Sequence, residues 1–192
     1  MKNKTVSVIG IGRVGLPLAV FIADKGYKVF GIGRDQTKID ELAHGKMPFI
    51  EEGGTLLKKH VNKNFIPTIS YEPINFSDVL ILTLGTPIDE NMNPVLDQIN
   101  EALDKAFLYL RKGQLIILRS TVSPQTTEYV KDKIELSTKF KVGKNIFLAF
   151  CPERIAEGYA ISEIKNIPQI IGGADEASTK KAKVFFESLK IT

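Results

Sequence analysis

At 192 residues, with 43% hydrophobic and 25% charged positions, the chain has an ordinary globular composition and the length of one sizeable domain. Its net charge of +4 comes from lysines and arginines interleaved with acids, so no basic block points to nucleic acid, while the mild excess suits an anionic small ligand. The single cysteine, Cys151, excludes an intrachain disulfide framework and fits a reducing cytoplasm.

The first element is "TVSVIG". Lysines precede this apolar run, as in a signal peptide, but the run reaches its glycines within a few residues and Arg13 follows, which fits a buried first strand. Gly10, Gly12 and Gly15, with Arg13 and Val14 between them, form G-x-G-x-x-G where this strand gives way to a helical pattern. In that context the first glycine allows the tight turn, the second lets a pyrophosphate approach the backbone, and the third lets helix and sheet pack closely. The longest later apolar stretch, from Val14 to Ala23, has about half the length needed to span a bilayer, so no membrane segment is expected.

"KVFGIG" reads as the second strand. A carboxylate is expected at its tip, about 20 residues after the glycines, to hold the ribose hydroxyls. The chain has Gly33 and Arg34 there, with Asp35 behind. Gly33 accepts nothing from its side chain; Arg34 suits stacking on adenine or pairing with a 2′-phosphate; Asp35 can swing back to the ribose. These residues by themselves leave NAD and NADP both open.

"DVLILTL", "QLIILRS" and "NIFLAFC" read as further strands, near-continuously apolar as expected when both sheet faces are covered. Between them, Val95, Ile99, Leu103, Ala106 and Leu110 share one helical face, and "SPQTTEYVKDKIELS" offers Ser123 as N-cap with Pro124 in the first turn. A last helix is expected from about Ala174 to Leu189. "HGKMPFIEEGG", "GTPIDENMNP" and "CPERIAEGYAISEIKNIP" read as irregular, and the latter two follow strands. The alternation predicts an α/β fold: a Rossmann-like, doubly wound parallel sheet with helices on both faces, binding its ligand at the carboxyl ends of the strands.

Four motifs in order, "GIGRVGLPLAVFIADKGYKVFGIGRD", "LGTPIDENMNPVLDQI", "LRSTVSPQTTEYV" and "FCPERIAEGYAISEIKNIPQIIGG", together resemble the N-terminal NAD-binding domain of the UDP-glucose/GDP-mannose dehydrogenase family. The resemblance covers essentially the whole chain, and "PERIAEG" with "PQIIGG" looks most like the UDP-N-acetylmannosamine dehydrogenase branch. It implies oxidation of the C6 hydroxymethyl of a UDP-sugar to a uronic acid by two hydride transfers to NAD, with a cysteine thiolate trapping the aldehyde between them.

Carried over position by position, the resemblance makes Thr121 the residue that orients a catalytic water. Glu153 becomes the acid/base glutamate and Glu157 a second glutamate of the sugar loop, while Arg154 helps to bind substrate. On the cofactor side it adds Gly85, Thr86 and Pro87 after the fourth strand, and Ser120 with Thr121 after the fifth. The chain departs from the family at Gly33, where aspartate is usual, and at Gly53, where proline is common. The first departure leaves NAD ahead of NADP without excluding the latter. No metal is implied.

Cys151, ending an apolar strand, reads as a small buried hydrophobe, not as the nucleophile, which the family carries in a separate glycine-rich motif. Residues 1–192 are therefore expected to be a single dinucleotide-binding domain, the N-terminal part of a longer enzyme. The central helix and C-terminal domain are absent, so this piece alone is expected to be inactive. Full-length relatives dimerise through that central helix, which leaves a monomeric state open for this chain. Two other readings stand beside this one: a stand-alone nucleotide-binding or regulatory module, and another dehydrogenase on the same scaffold, such as a β-hydroxyacid type.

Overall fold

The computed structural model describes residues 4–85, 90, 95–156 and 158–191. Among them seven strands form one sheet: β1 (Thr5–Ile9), β2 (Lys28–Ile32), β3 (Phe65–Thr68), β4 (Val79–Leu82), β5 (Leu115–Leu118), β6 (Phe147–Phe150) and β7 (Gly172–Gly173). The helices are α1 (Gly15–Asp24), α2 (Gln36–Ala43), α3 (Gly54–His60), α4 (Asp97–Phe107), α5 (Thr126–Ser137), α6 (Ala160–Asn166) and α7 (Glu176–Ser188), with a 3₁₀ turn at Glu72–Phe76.

The strand order is β3-β2-β1-β4-β5-β6-β7. The first six strands are parallel, so the chain winds one way from β1 through β3 and the other way from β4 onward. The switch falls between β1 and β4, where ligands bind in such sheets. The expected parallel sheet holds with one difference: β7 adds antiparallel to β6 at the edge, pairing Ala149 with Gly173 and Phe150 with Gly172. Two glycines carry no strand pattern, and β3 is only four residues long, so neither of these outer strands stands out in the sequence.

The apolar strands build two cores because side chains alternate across the sheet. Val79, Ile81, Leu115, Ile117 and Ala149 pack on the face that carries α1 and α7. Leu80, Leu82, Ile116, Leu118 and Leu148 pack on the other, against α4 and α5. Helix α1 is buried from Gly15 through Ala23, apolar on all sides because α3 and α6 cover the side that faces away from the sheet. Among the described residues no helix is long and apolar enough to cross a membrane.

Two local expectations change. Helix α5 begins at Thr126 with Gln125, in the left-handed region at φ 70°, as its N-cap, so Ser123 lies two residues ahead of the cap and Pro124 precedes the helix instead of opening it. The Ser123 carbonyl instead accepts a 2.8 Å hydrogen bond from the Thr126 hydroxyl. The stretch read as irregular after β6 contains α6, whose start is held from a distant segment. The Glu51 carboxylate accepts from the amides of Gly158 (2.7 Å) and Ala160 (3.2 Å), and that of Glu52 from Ser162 (2.8 Å). Gly53, where the resemblance leads one to expect proline, adopts φ 106° just before α3, a conformation the proline ring forbids.

Candidate functional site

The carboxyl rim of the sheet carries one large cleft, about 770 Å³, over the point where strand order reverses. Its floor is the turn between β1 and α1. Gly10 bends there at φ 96°, and a Cβ on it would sit 2.5 Å from the carbonyl oxygen of Thr83. Thr83, at the end of β4, pins the turn by donating its hydroxyl to the carbonyls of Ile9 (3.0 Å) and Gly10 (2.6 Å). Gly12 differs: a Cβ there would meet nothing within 4 Å, so its bare backbone faces open space in the cleft.

The start of α1 has no capping side chain, since Val14 occupies the N-cap, and its first turn carries no acid. Uncapped amides at a helix N-terminus supply hydrogen-bond donors and positive potential for an anion. Within α1 itself the Leu16 amide donates to the Gly12 carbonyl at 3.0 Å and Pro17 has no N–H, so donors for an anion are the backbone amides of Val14 and Gly15 and of the turn ahead of them, a cradle that suits a pyrophosphate. Arg13 stands at the same corner, its guanidinium 5.5 Å from the centre of the Phe49 ring.

From the floor the cleft runs outward past Gly33, Arg34, Asp35 and Lys38 after β2, with Ile39 and Leu42 from α2 as its apolar side. Tyr71, Glu101 and Lys105 form the facing side. Asp35 is the N-cap of α2, its carboxylate accepting from the Lys38 amide at 3.3 Å. Glu101 and Lys105 pair at 2.7 Å along α4. Hydrogen bonding to Lys105 is the main cause that holds the Glu101 carboxyl below its ordinary value, and the Arg34 charge adds to it.

Of the residues expected to bind cofactor, Gly10, Gly12, Arg13, Arg34, Asp35 and Gly85 line this cleft. Val14 and Gly15 form the helix start beneath it, Gly15 so close that a Cβ would lie 2.1 Å from the Gly10 carbonyl oxygen. Ser120 and Thr121 follow β5 on the same rim but do not line the cleft. Thr86, Pro87 and Glu157 lie outside the described residues. Sequence reasoning passed over Thr83, Lys38 and Lys105, which act through positions that only the fold brings beside the glycine turn.

Glu153 sits beyond β6 in different surroundings. Arg119, at the end of β5, is 2% exposed and donates to the Glu153 carboxylate, the Gln169 side-chain oxygen and the Cys151 carbonyl. Its guanidinium also lies 5.4 Å from the Phe186 ring centre. Burial lowers the Arg119 pKa from its ordinary value, opposed chiefly by the Glu153 charge. The depression beside this pair, about 10 Å³, has room for one water at most. Arg119 was also missed, although a lone arginine closing the run "QLIILR" was a usable signal. Cys151 next to it is fully buried; burial pushes its thiol up to about 12 against the opposing Arg119 charge, so it stays protonated at neutral pH.

Residues 4–190 match the family described as the UDP-glucose/GDP-mannose dehydrogenase family, NAD binding domain. The chain is 34% identical over 187 residues to a UDP-N-acetyl-D-mannosamine dehydrogenase of Methanococcus aeolicus, covering 95% of this chain and 41% of that protein. Among solved structures, an NDP-N-acetyl-D-galactosaminuronic acid dehydrogenase from Methanosarcina mazei superposes with a TM-score of 0.91 at 33% identity, over 98% of this chain and 42% of the other. A ternary complex of GDP-mannose dehydrogenase from Pseudomonas aeruginosa gives 0.89 at 27% identity, over 97% and 44%. The chain thus spans about two fifths of the length of the UDP-N-acetyl-D-mannosamine dehydrogenases it matches.

Proposed function

The chain belongs to the UDP-glucose/GDP-mannose dehydrogenase family, and we propose that it forms the coenzyme-binding portion of a dehydrogenase acting on a UDP-sugar, with UDP-N-acetylmannosamine the favoured substrate. The observation that carries this reading is the cleft over the strand-order switch, with Gly12 bare and the α1 amides uncapped at its floor. The UDP-N-acetyl-D-mannosamine dehydrogenases among the curated relatives, at 31–34% identity, support the sugar. The single cysteine supports work in a reducing cytoplasm.

In this reading nicotinamide dinucleotide, one molecule for each of the two successive oxidations at C6, would supply the hydride acceptor, and water would supply the second carboxylate oxygen. The residues of this chain hold, orient and titrate around it. The α1 amides and Arg13 take the pyrophosphate, and the turns after β4 and β5, with Gly85, Thr86, Pro87, Ser120 and Thr121, carry the nicotinamide end. Glu153 and Glu157 serve the sugar side as acid/base groups, the Arg119 guanidinium fixing the Glu153 carboxylate in place. The whole reaction also needs a thiolate, which Cys151 does not provide. No metal takes part in this scheme.

Titration of the full chain with reduced dinucleotide, followed by nicotinamide fluorescence and calorimetry, tests the reading. Saturable one-to-one binding that Gly12→Ala weakens supports it. Absence of dinucleotide binding at millimolar ligand overturns it. In the protein carrying the missing thiolate, formation of a uronic acid from UDP-N-acetylmannosamine, with two coenzymes reduced per sugar, tests the substrate and the stoichiometry together.

A further inference from the structure

We propose that the ribose end of the cleft is built for a 2′-phosphate, so that the chain prefers NADP to the NAD that its family's description names; the inference rests on the dinucleotide reading above. The first support is the tip of β2. A site for an unphosphorylated ribose uses a carboxylate there, which accepts from the sugar hydroxyls and repels a phosphate. Gly33 offers no such group, and a side chain there would make two isoleucine side chains give by a few tenths of an ångström. A Cβ would stand 3.1 Å from Ile39 Cδ1 and 3.3 Å from Ile11 Cγ1.

The second support is the state of the neighbouring charges. Asp35 is engaged with its own helix, capping the Lys38 amide at 3.3 Å and lying 3.9 Å from Lys38 Nζ. Glu101, across the cleft, is paired with Lys105 at 2.7 Å. Three cations, Arg34, Lys38 and Lys105, thus face two carboxylates at this end, and each carboxylate already has a lysine. The cluster therefore carries one net positive charge, and Arg34, exposed in the cleft and acting on Glu101 only through its field, is the cation least tied by a direct contact.

A guanidinium standing next to a bare strand tip presents its planar fork to the phosphate oxygens, a geometry a lone lysine cannot reproduce. Lys38, at the start of α2, lines the same side, its charge partly offset by Asp35 at 3.9 Å. A phosphomonoester near neutral pH carries close to two negative charges, so a cluster with one net positive charge attracts it where two neutral hydroxyls are not attracted.

Calorimetric titration of the full chain with NADP, NAD, 2′,5′-ADP and 5′-AMP tests this. The expected result is NADP tighter than NAD by about tenfold or more, 2′,5′-ADP tighter than 5′-AMP by a similar factor, and a preference that shrinks as salt rises. Arg34→Gln should remove most of that preference while moving NAD affinity less than about twofold, and Lys38→Met should remove a smaller part, with thermal unfolding showing both variants folded. NAD binding as tightly as NADP, or Arg34→Gln weakening both ligands equally because Arg34 only stacks on adenine, overturns the preference and leaves the proposed function standing. A chain that binds neither dinucleotide overturns both.

Discussion

The cleft between β1 and β4 and the cluster between β5 and β6 share one rim of one sheet, but they treat charge in opposite ways. In the cleft, Arg34 and Lys38 stand exposed around a floor of backbone amides, and the space is large enough for a ligand. In the cluster, Arg119 is buried, its carboxylate partner Glu153 is 10% exposed at the side chain, and the space is filled by protein. An exposed cation costs little to keep waiting for an anion, because water solvates it meanwhile. A buried cation has to carry its anion with it, or the desolvation cost falls on the fold. The first arrangement therefore favours recognition and the second favours fixed geometry.

The strongest way to break this contrast is to remove the buried cation. Arg119→Met leaves Glu153 without its partner and should lower stability by about 3–5 kcal/mol in chemical denaturation, whereas Arg119→Met with Glu153→Met should recover most of the loss. Dinucleotide affinity of the folded fraction should stay unchanged. Loss of coenzyme binding in the double variant would show the two regions to be coupled.

Next comes the floor of the cleft. Gly15→Ala forces a Cβ to within 2.1 Å of the Gly10 carbonyl and should cost about 1–3 kcal/mol by overpacking. Gly12→Ala meets open space, so its stability should move by less than about 0.5 kcal/mol while dinucleotide affinity falls by about tenfold. A pair of glycines three residues apart would then separate folding from binding.

Glu51→Ala sharpens the picture of how the far side is held. Burial by itself would raise the Glu51 carboxyl, but the amides of Gly158, Ala160 and Glu52 and the Arg13 charge leave it below the ordinary value. Its contribution is therefore complete above the unfolded-state value and is lost as pH falls through the lower folded one. Removing it should cost about 0.5–2 kcal/mol at neutral pH and flatten the acid limb of the stability curve.

At neutral pH the smallest effect belongs to Cys151, whose contribution changes only in alkali. With the folded thiol near 12 and the unfolded one near 9, the unfolded chain loses its proton first. Stability should thus decline as pH rises from about 9 toward 12, more steeply than in Cys151→Ala, as thermal unfolding would record. At neutral pH the native thiol should resist alkylation.

Five of the strands, the glycine turn and the doubly wound order could be read directly, because continuous apolar runs and a G-x-G-x-x-G after a strand are local signals. So could the oddity at Gly33 and Arg34, since a missing carboxylate is visible at its expected spacing. Helix α6 could not, because Glu51 and Glu52, more than a hundred residues earlier, supply its start. Nor could the role of Gly53, whose φ of 106° depends on how the chain enters α3 beneath α1.

By itself the sequence determined the alternation of elements and the place of the phosphate cradle, since both follow from side-chain period and backbone freedom within a few residues. Only the tertiary structure decided which charges pair between elements. Asp35 with Lys38 and Glu101 with Lys105 are neighbours three and four residues apart on their own helices, but Glu153 takes Arg119 from another strand end, and Arg34 meets the cleft only in the fold. Spacing along the chain places a charge, but its partner is set by distance in space, and between β5 and the loop after β6 that distance spans 34 residues of chain.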